Sequence, residues 1–168
     1  MVVLGIDPGT RVSGFVIFKK EARLLVLADY GVLKLGTSDN LPDRVAHFFQ
    51  FFNDKIKQFS VTDIAIETPF LGKNASNFLK LGYLRGAVYI LVSQHRLILH
   101  EFSPSEVKRA VTGFGGAQKE QVARMVCRLF PDVAFTRQYD MTDAFGVGLC
   151  CAWAPRARSV LSSTSDNS

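Results

Sequence analysis

The chain has 168 residues, of which 48% are hydrophobic, and both figures are typical of one globular domain with a well-filled core. It contains neither 18 consecutive uncharged apolar residues nor a cleavable export signal, so a membrane protein and a secreted protein are not expected. The formal net charge is +5, and residues 69–130 carry nine basic against three acidic residues, which favours a polyanion such as nucleic acid as partner, with solubility alone as the other explanation.

The hydrophobic pattern predicts five strands and five helices in the order β-β-β-α-β-α-β-α-α-α. Strands at residues 2–8, 14–18 and 24–33 follow one another closely and predict an antiparallel meander. A helix at 42–59 follows, capped by Asp39 or Asn40, with Phe51 off its apolar face as a scattered exposed aromatic or part of a protein interface. The remaining elements are a strand ending at residue 67, a helix at about 76–94, a strand at 97–102 and helices within the segments 103–113, 117–130 and 140–154.

This order predicts an α/β fold: a mixed five-stranded sheet, its first three strands antiparallel, flanked by helices on both faces. Residues 1–154 are expected to form the domain, and the polar residues 155–168 a disordered tail. The three cysteines are an odd number without metal-ligand spacing, so we expect free thiols in a reducing, cytoplasmic location.

Four acidic residues stand out in this pattern. Asp7 and Glu67 each end an apolar strand, and Asp140 and Asp143 share one face at the start of an apolar helix. Taken singly, such residues more often belong to a turn or a helix cap. If the first and fourth strands are neighbours and the last helix crosses their ends, the four carboxylates converge and repel one another unless a divalent cation neutralises them. Oxygen ligands without Cys or His favour Mg²⁺, or Mn²⁺ in its place, and two such ions can clamp the attacking and leaving oxygens of a phosphodiester.

Four motifs resemble those of the RuvC family of Holliday-junction resolvases, which have an RNase H-like fold. They keep the family's order and spacing from residue 1 to about 154 and read LGIDPGTRVSGF (4–15), AIETPFLGKNASNFLKLGYLRG (65–86), PSEVKRAVTGFGGAQKEQV (104–122) and DMTDAFGVG (140–148). The resemblance implies that the same four acids are catalytic and hold the metal. Asp140 stands where family members vary between Asp and His.

The resemblance also implies which residues meet DNA. Phe70 corresponds to a residue that wedges against junction bases, with a core anchor for the loop as the alternative. Lys108 and Lys119 correspond to a basic pair that contacts phosphate and steadies charge in the transition state. Further candidates for phosphate contact, or equally for solvated surface charge, are Lys73, Lys80, Arg85 and Arg109. The loop after the first strand, with Thr10, Arg11 and Ser13, could approach phosphate or serve the turn alone.

The activity implied is Mg²⁺-dependent, structure-selective DNA cleavage that resolves Holliday junctions in recombination and repair. Paired symmetric nicks would leave 5′-phosphate and 3′-hydroxyl ends, with two ions per subunit. Two equivalent cuts in a four-way junction call for two active sites, which a homodimer supplies through the helix at 42–59 or the one near 76–94. Family context further implies cooperation with a RuvA–RuvB branch-migration complex.

Three other functions are compatible with parts of the pattern. An actin-like or sugar-kinase-like nucleotide-binding fold shares the Asp-x-Gly-Thr run, but it needs two such domains. An RNase H-like nuclease that processes ribosomal RNA precursors shares the Asp-x-Gly start. A non-catalytic DNA-binding module would not need acids at all four positions.

Overall fold

The computed structural model of the chain describes residues 1–36, 40–69, 75–134 and 139–154. Its elements follow the predicted order. They are β1 (Val2–Asp7), β2 (Val12–Glu21), β3 (Leu24–Lys34), α1 (Leu41–Phe59), β4 (Asp63–Glu67), α2 (Ala75–His95), β5 (Ile98–Phe102), α3 (Pro104–Thr112), α4 (Lys119–Leu129) and α5 (Tyr139–Trp153). The tail predicted at 155–168 lies outside the described residues, so the domain boundary at 154 stays a prediction.

The five strands form one mixed sheet in the order β3-β2-β1-β4-β5. The first three strands pair antiparallel, whereas β4 runs parallel to β1 and β5 parallel to β4. The parallel register places Ile6 beside Ile66, so β1 and β4 end side by side. The predicted fold class is therefore confirmed, including the neighbouring placement of the first and fourth strands.

Helices cover both faces of the sheet because side chains alternate along each strand. Leu4 and Ile6 of β1 face a core shared with α1 and α2, while Val3 faces a core shared with α5. Helix α5 packs directly across β1 and β2. This contact depends on Gly5, because a Cβ there would lie 2.7 Å from the carbonyl oxygen of Ala144.

Helix α1 begins at the cap that its sequence predicts. The Asn40 side chain accepts a hydrogen bond from the backbone N–H of Asp43. The alternative cap, Asp39, lies outside the described residues. Of the two alternatives for Phe51, the scattered exposed aromatic is wrong: its ring is partly buried and packs edge-on against Phe15 and Phe52.

No helix within the described ranges combines the length and the apolar character needed to cross a membrane.

Candidate active site

Two strand ends bring the first two acids together. Asp7 is the last residue of β1 and Glu67 the last of β4, and the parallel pairing of these strands places the two residues at one edge of the sheet. Helix α5 starts at the same edge, because Gly14, the partner of Asp7 on β2, lies against Asp140. A Cβ on Gly14 would come within 2.0 Å of the Asp140 carbonyl oxygen, so only glycine permits this approach. The sheet edge therefore carries all four predicted acids.

Burial and mutual repulsion perturb these carboxyl groups. Burial raises the pKa of Asp7 well above its usual value, and the charges of Asp143, Glu67 and Asp140 raise it further, against a smaller opposing effect of Lys119. Burial also raises the pKa of Glu67, again with a contribution from Asp143. The pKa of Asp143 is raised mainly by burial, with the nearby Lys119 working in the opposite direction. The four acids thus form one interacting anionic cluster.

Two lysines, Lys119 and Lys108, carry positive charge close to this cluster. The Lys119 ammonium, at the start of α4, donates a hydrogen bond of 2.6 Å to Asp143 Oδ2 and lies 5.0 Å from the centre of the Tyr139 ring. Its burial lowers its pKa, but the hydrogen bond and the surrounding carboxylates outweigh this effect, and the pKa is raised. Lys108 of α3 lowers the pKa of Glu67, which places its charge near that carboxylate.

The donor set fits a hard divalent cation in its chemistry. In the ranges that the structure describes, no three His, Cys, Asp or Glu side chains lie close enough together to enclose a cation as they stand. Carboxylates of like charge repel one another, and Lys119 offsets this repulsion at Asp143. Asp7, Glu67 and Asp143, whose pKa values are raised, together with Asp140 offer carboxylate oxygens that Mg²⁺ or Mn²⁺ would stabilise in their charged form.

A cleft of about 200 Å³ opens beside the acids. Asp7 and Glu67 form one side of it, and Phe78, Leu81 and Arg85 of α2 form the other. Arg85 is not the exposed phosphate contact that the sequence suggested, because its side chain is buried and occupied. Its guanidinium donates to the backbone carbonyl of Glu67 at 2.5 Å and to the carboxylate of Glu101.

The other predicted DNA contacts divide into two groups. Lys80 and Arg109 are exposed on α2 and α3, as a phosphate contact requires. Phe70 and Lys73 lie outside the described residues.

Ser13 stabilises the turn that follows β1. The Ser13 hydroxyl is buried, donates to the Gly9 carbonyl and accepts from the Gly9 N–H. Thr10 has a long contact to Asn77, 3.5 Å between side-chain oxygens, and Arg11 is exposed. Of the two roles that the sequence left open for Ser13, these contacts favour the turn.

Sequence reasoning missed that the buried Arg85 side chain pairs with the partly exposed carboxylate of Glu101 behind Glu67. Arg85 lies in a helix that also carries Lys80, and both residues look alike in the sequence. The apolar neighbours Leu84, Ala87 and Val88 could have indicated an inward-facing position.

Comparison with known proteins gives a consistent result. The family model "Crossover junction endodeoxyribonuclease RuvC" matches residues 3–151. The protein of that name from Pelodictyon phaeoclathratiforme is 40% identical over 150 residues, which are 89% of this chain and 78% of the relative. The one from Chlorobium phaeobacteroides is 41% identical over 150 residues, with 89% and 80% covered.

Solved structures agree with the sequence relatives. Thermus thermophilus RuvC superposes with a TM-score of 0.77 at 27% identity, covering 89% of this chain and 92% of that one. The same protein in complex with a Holliday junction substrate gives 0.78 at 25% identity, with the same coverage. Yeast mitochondrial Ydc2, a Holliday junction resolvase, shares the fold, with a TM-score of 0.65 at 18% identity over 89% of this chain and 77% of that one.

Proposed function

The chain belongs to the RuvC family and is a crossover junction endodeoxyribonuclease that resolves Holliday junctions, and we propose that its active centre is the cluster of Asp7, Glu67, Asp140 and Asp143. The observation that carries this assignment is the convergence of these acids: β1, β4 and α5 bring them to one edge of the sheet, where burial and neighbouring carboxylates raise the pKa values of Asp7, Glu67 and Asp143. Family membership favours this activity over the nucleotide-binding, RNA-processing and non-catalytic alternatives.

The residues of the chain have distinct tasks in this mechanism. Two Mg²⁺ ions, or Mn²⁺ in their place, supply Lewis-acid polarisation of the scissile phosphate when bound. The four carboxylates would hold the cations, and a carboxylate oxygen left free by the cations would accept the proton of the attacking water. Lys119 and Lys108 donate to phosphate oxygens as negative charge develops on them. Cleavage on the 3′-oxygen side of the phosphorus leaves a 5′-phosphate and a 3′-hydroxyl.

Positive charge around the cluster guides the DNA backbone. Lys80 and Arg109 are exposed on two helices that border the acids, and each can pair with a phosphate without disturbing the fold. Because each such contact releases counterions, junction binding by this protein should weaken steeply as salt rises.

A second copy of the chain completes the enzyme. The outer surface of α2 presents Leu79, Tyr83 and Ile90, each more than half exposed, and an apolar groove of about 920 Å³ lies between α1 and α2. Gly82 and Gly86 lie along the same surface, and a Cβ at either would meet nothing within 4 Å. Small residues four apart allow another helix to approach closely, so we assign this surface to a two-fold homodimer with two active sites for the two cuts. Cooperation with a RuvA–RuvB complex and action in the cytoplasm complete the proposal.

The experiment that tests the active centre is cleavage of a synthetic four-way junction by wild-type protein and by Asp7→Asn, with and without Mg²⁺. Wild-type protein should nick two opposite strands symmetrically only when Mg²⁺ is present. Asp7→Asn should bind the junction with similar affinity and not cut it. Cutting by Asp7→Asn at nearly the wild-type rate would reject the metal role of Asp7.

A further inference from the structure

We propose that Arg85 is a positioning residue that fixes the peptide from which the Glu67 side chain projects. One guanidinium nitrogen donates to the Glu67 carbonyl oxygen at 2.5 Å, and the other pairs with Glu101 of β5. Arg85 therefore acts on Glu67 through the backbone and does not itself touch DNA. This inference rests on the proposed function, in which Glu67 is a metal ligand.

The peptide between Glu67 and Thr68 is held at both ends. Its carbonyl accepts from Arg85, and its N–H, that of Thr68, donates to the Phe102 carbonyl of β5 at 2.8 Å. Glu67 is the last residue of β4, where the strand ladder stops, so these two hydrogen bonds replace the pairing that a longer strand would supply. A fixed peptide holds the Glu67 side chain in one orientation before a cation or a phosphate binds.

The positive charge of Arg85 is compensated by a carboxylate of the same chain. Its side chain is 10% exposed, and the Glu101 carboxylate that pairs with it also accepts a hydrogen bond of 3.2 Å from the Tyr89 hydroxyl. A buried guanidinium is stable only with such a partner, and its two-pronged shape lets it bridge a carboxylate and a carbonyl at once. A lysine has one ammonium and cannot reproduce this bridge with the same geometry.

The test compares Arg85→Gln and Arg85→Lys with wild-type protein and with a matched control, Arg23→Gln. Arg23 is exposed in the β2–β3 turn, at the end of the sheet opposite Asp7. Four quantities are measured on folded protein: hydrogen exchange of the segment 63–69 without metal, Mn²⁺ affinity by calorimetry without DNA, junction affinity without divalent ions, and the single-turnover cleavage rate against Mg²⁺ concentration.

Both Arg85 variants should exchange faster at 63–69, bind Mn²⁺ about 10-fold more weakly and cleave about 10–100-fold more slowly, the range typical of residues behind a metal ligand. Junction affinity should stay within about twofold of wild type, and Arg23→Gln should match wild type throughout. Arg85→Lys keeps the positive charge, but it should not restore wild-type Mn²⁺ affinity or the wild-type cleavage rate.

Two results would overturn the positioning role. One is a loss of junction affinity with a smaller salt dependence, which a phosphate contact would produce. The other is unchanged Mn²⁺ affinity and cleavage per folded molecule. Wild-type protein and Glu67→Gln are run alongside: wild-type cleavage without divalent ions, or full cleavage by Glu67→Gln, would instead reject the proposed function itself.

Discussion

Asp7→Asn should stabilise the metal-free protein while it abolishes cleavage. The Asp7 carboxyl is buried among three other acids, and Lys119 offsets their repulsion only in part because it is paired with Asp143. Removing a buried charge that is only partly compensated should raise the free energy of unfolding by about 1–3 kcal/mol. For a chain of this length, such a gain raises the Tm by about 2–12 °C.

The pH dependence of this gain follows from the raised pKa of Asp7. The folded state holds the Asp7 proton more tightly than the unfolded state, in which the pKa is near 3.8. Wild-type protein therefore loses stability as the pH rises from below 3.8 to above the folded pKa. The gain in stability of Asp7→Asn over wild-type protein should therefore be absent below pH 3.8 and reach its full size above the folded pKa of Asp7.

The assay is thermal unfolding in a chelator across this pH range, with Asp132→Asn as the control because Asp132 is exposed in a turn. Saturating Mg²⁺ should stabilise wild-type protein more than Asp7→Asn, so the difference in Tm between them should become smaller or change sign. An unchanged or lowered Tm for Asp7→Asn at every pH of this range would refute the reasoning, as would an equal gain from Asp132→Asn.

Three further predictions follow from single contacts. Lys119→Gln should slow single-turnover cleavage by about 10²–10³-fold with little change in junction affinity, because the ammonium acts on charge that develops in the transition state; equal losses in binding and cleavage would contradict this role. Gly14→Ala should lower the free energy of unfolding by about 3 kcal/mol or more, measured by chemical denaturation, because its Cβ would meet the Asp140 carbonyl; wild-type stability would show that α5 does not pack there. Ile90→Glu should weaken dimerisation at least about 10-fold in light scattering, whereas Ile98→Glu, an exposed isoleucine on β5, should not; a dimer unaffected by Ile90→Glu would exclude the α2 surface.

The fold could be predicted from the sequence because strand and helix periods are clear and the connections are short. The element order and the strand ends at Asp7 and Glu67 were predicted correctly. Strand β2 is longer than the predicted 14–18, since its end carries Lys19, Lys20 and Glu21, whose charges hide the strand pattern until the pairing with β3 is known. The local sequence pattern therefore predicts where an element lies more accurately than where it begins and ends.

Side-chain direction could not be predicted in the same way. Phe51 lies off the apolar stripe of α1, but its ring packs against Phe15 of the sheet, and the Lys55 ammonium lies 5.5 Å from the ring centre. Arg85 points inward because Glu101, on a strand formed 16 residues later, meets it. Both outcomes depend on contacts between distant elements, which periodicity within one element does not contain.

The most direct test of the metal centre is anomalous diffraction from crystals of this protein soaked in Mn²⁺. Manganese peaks should lie among the carboxylate oxygens of the four acids, Asp7, Glu67, Asp140 and Asp143, and should be absent from crystals of Asp7→Asn. Crystals that take up Mn²⁺ elsewhere, or not at all while the protein still cuts junctions, would contradict it.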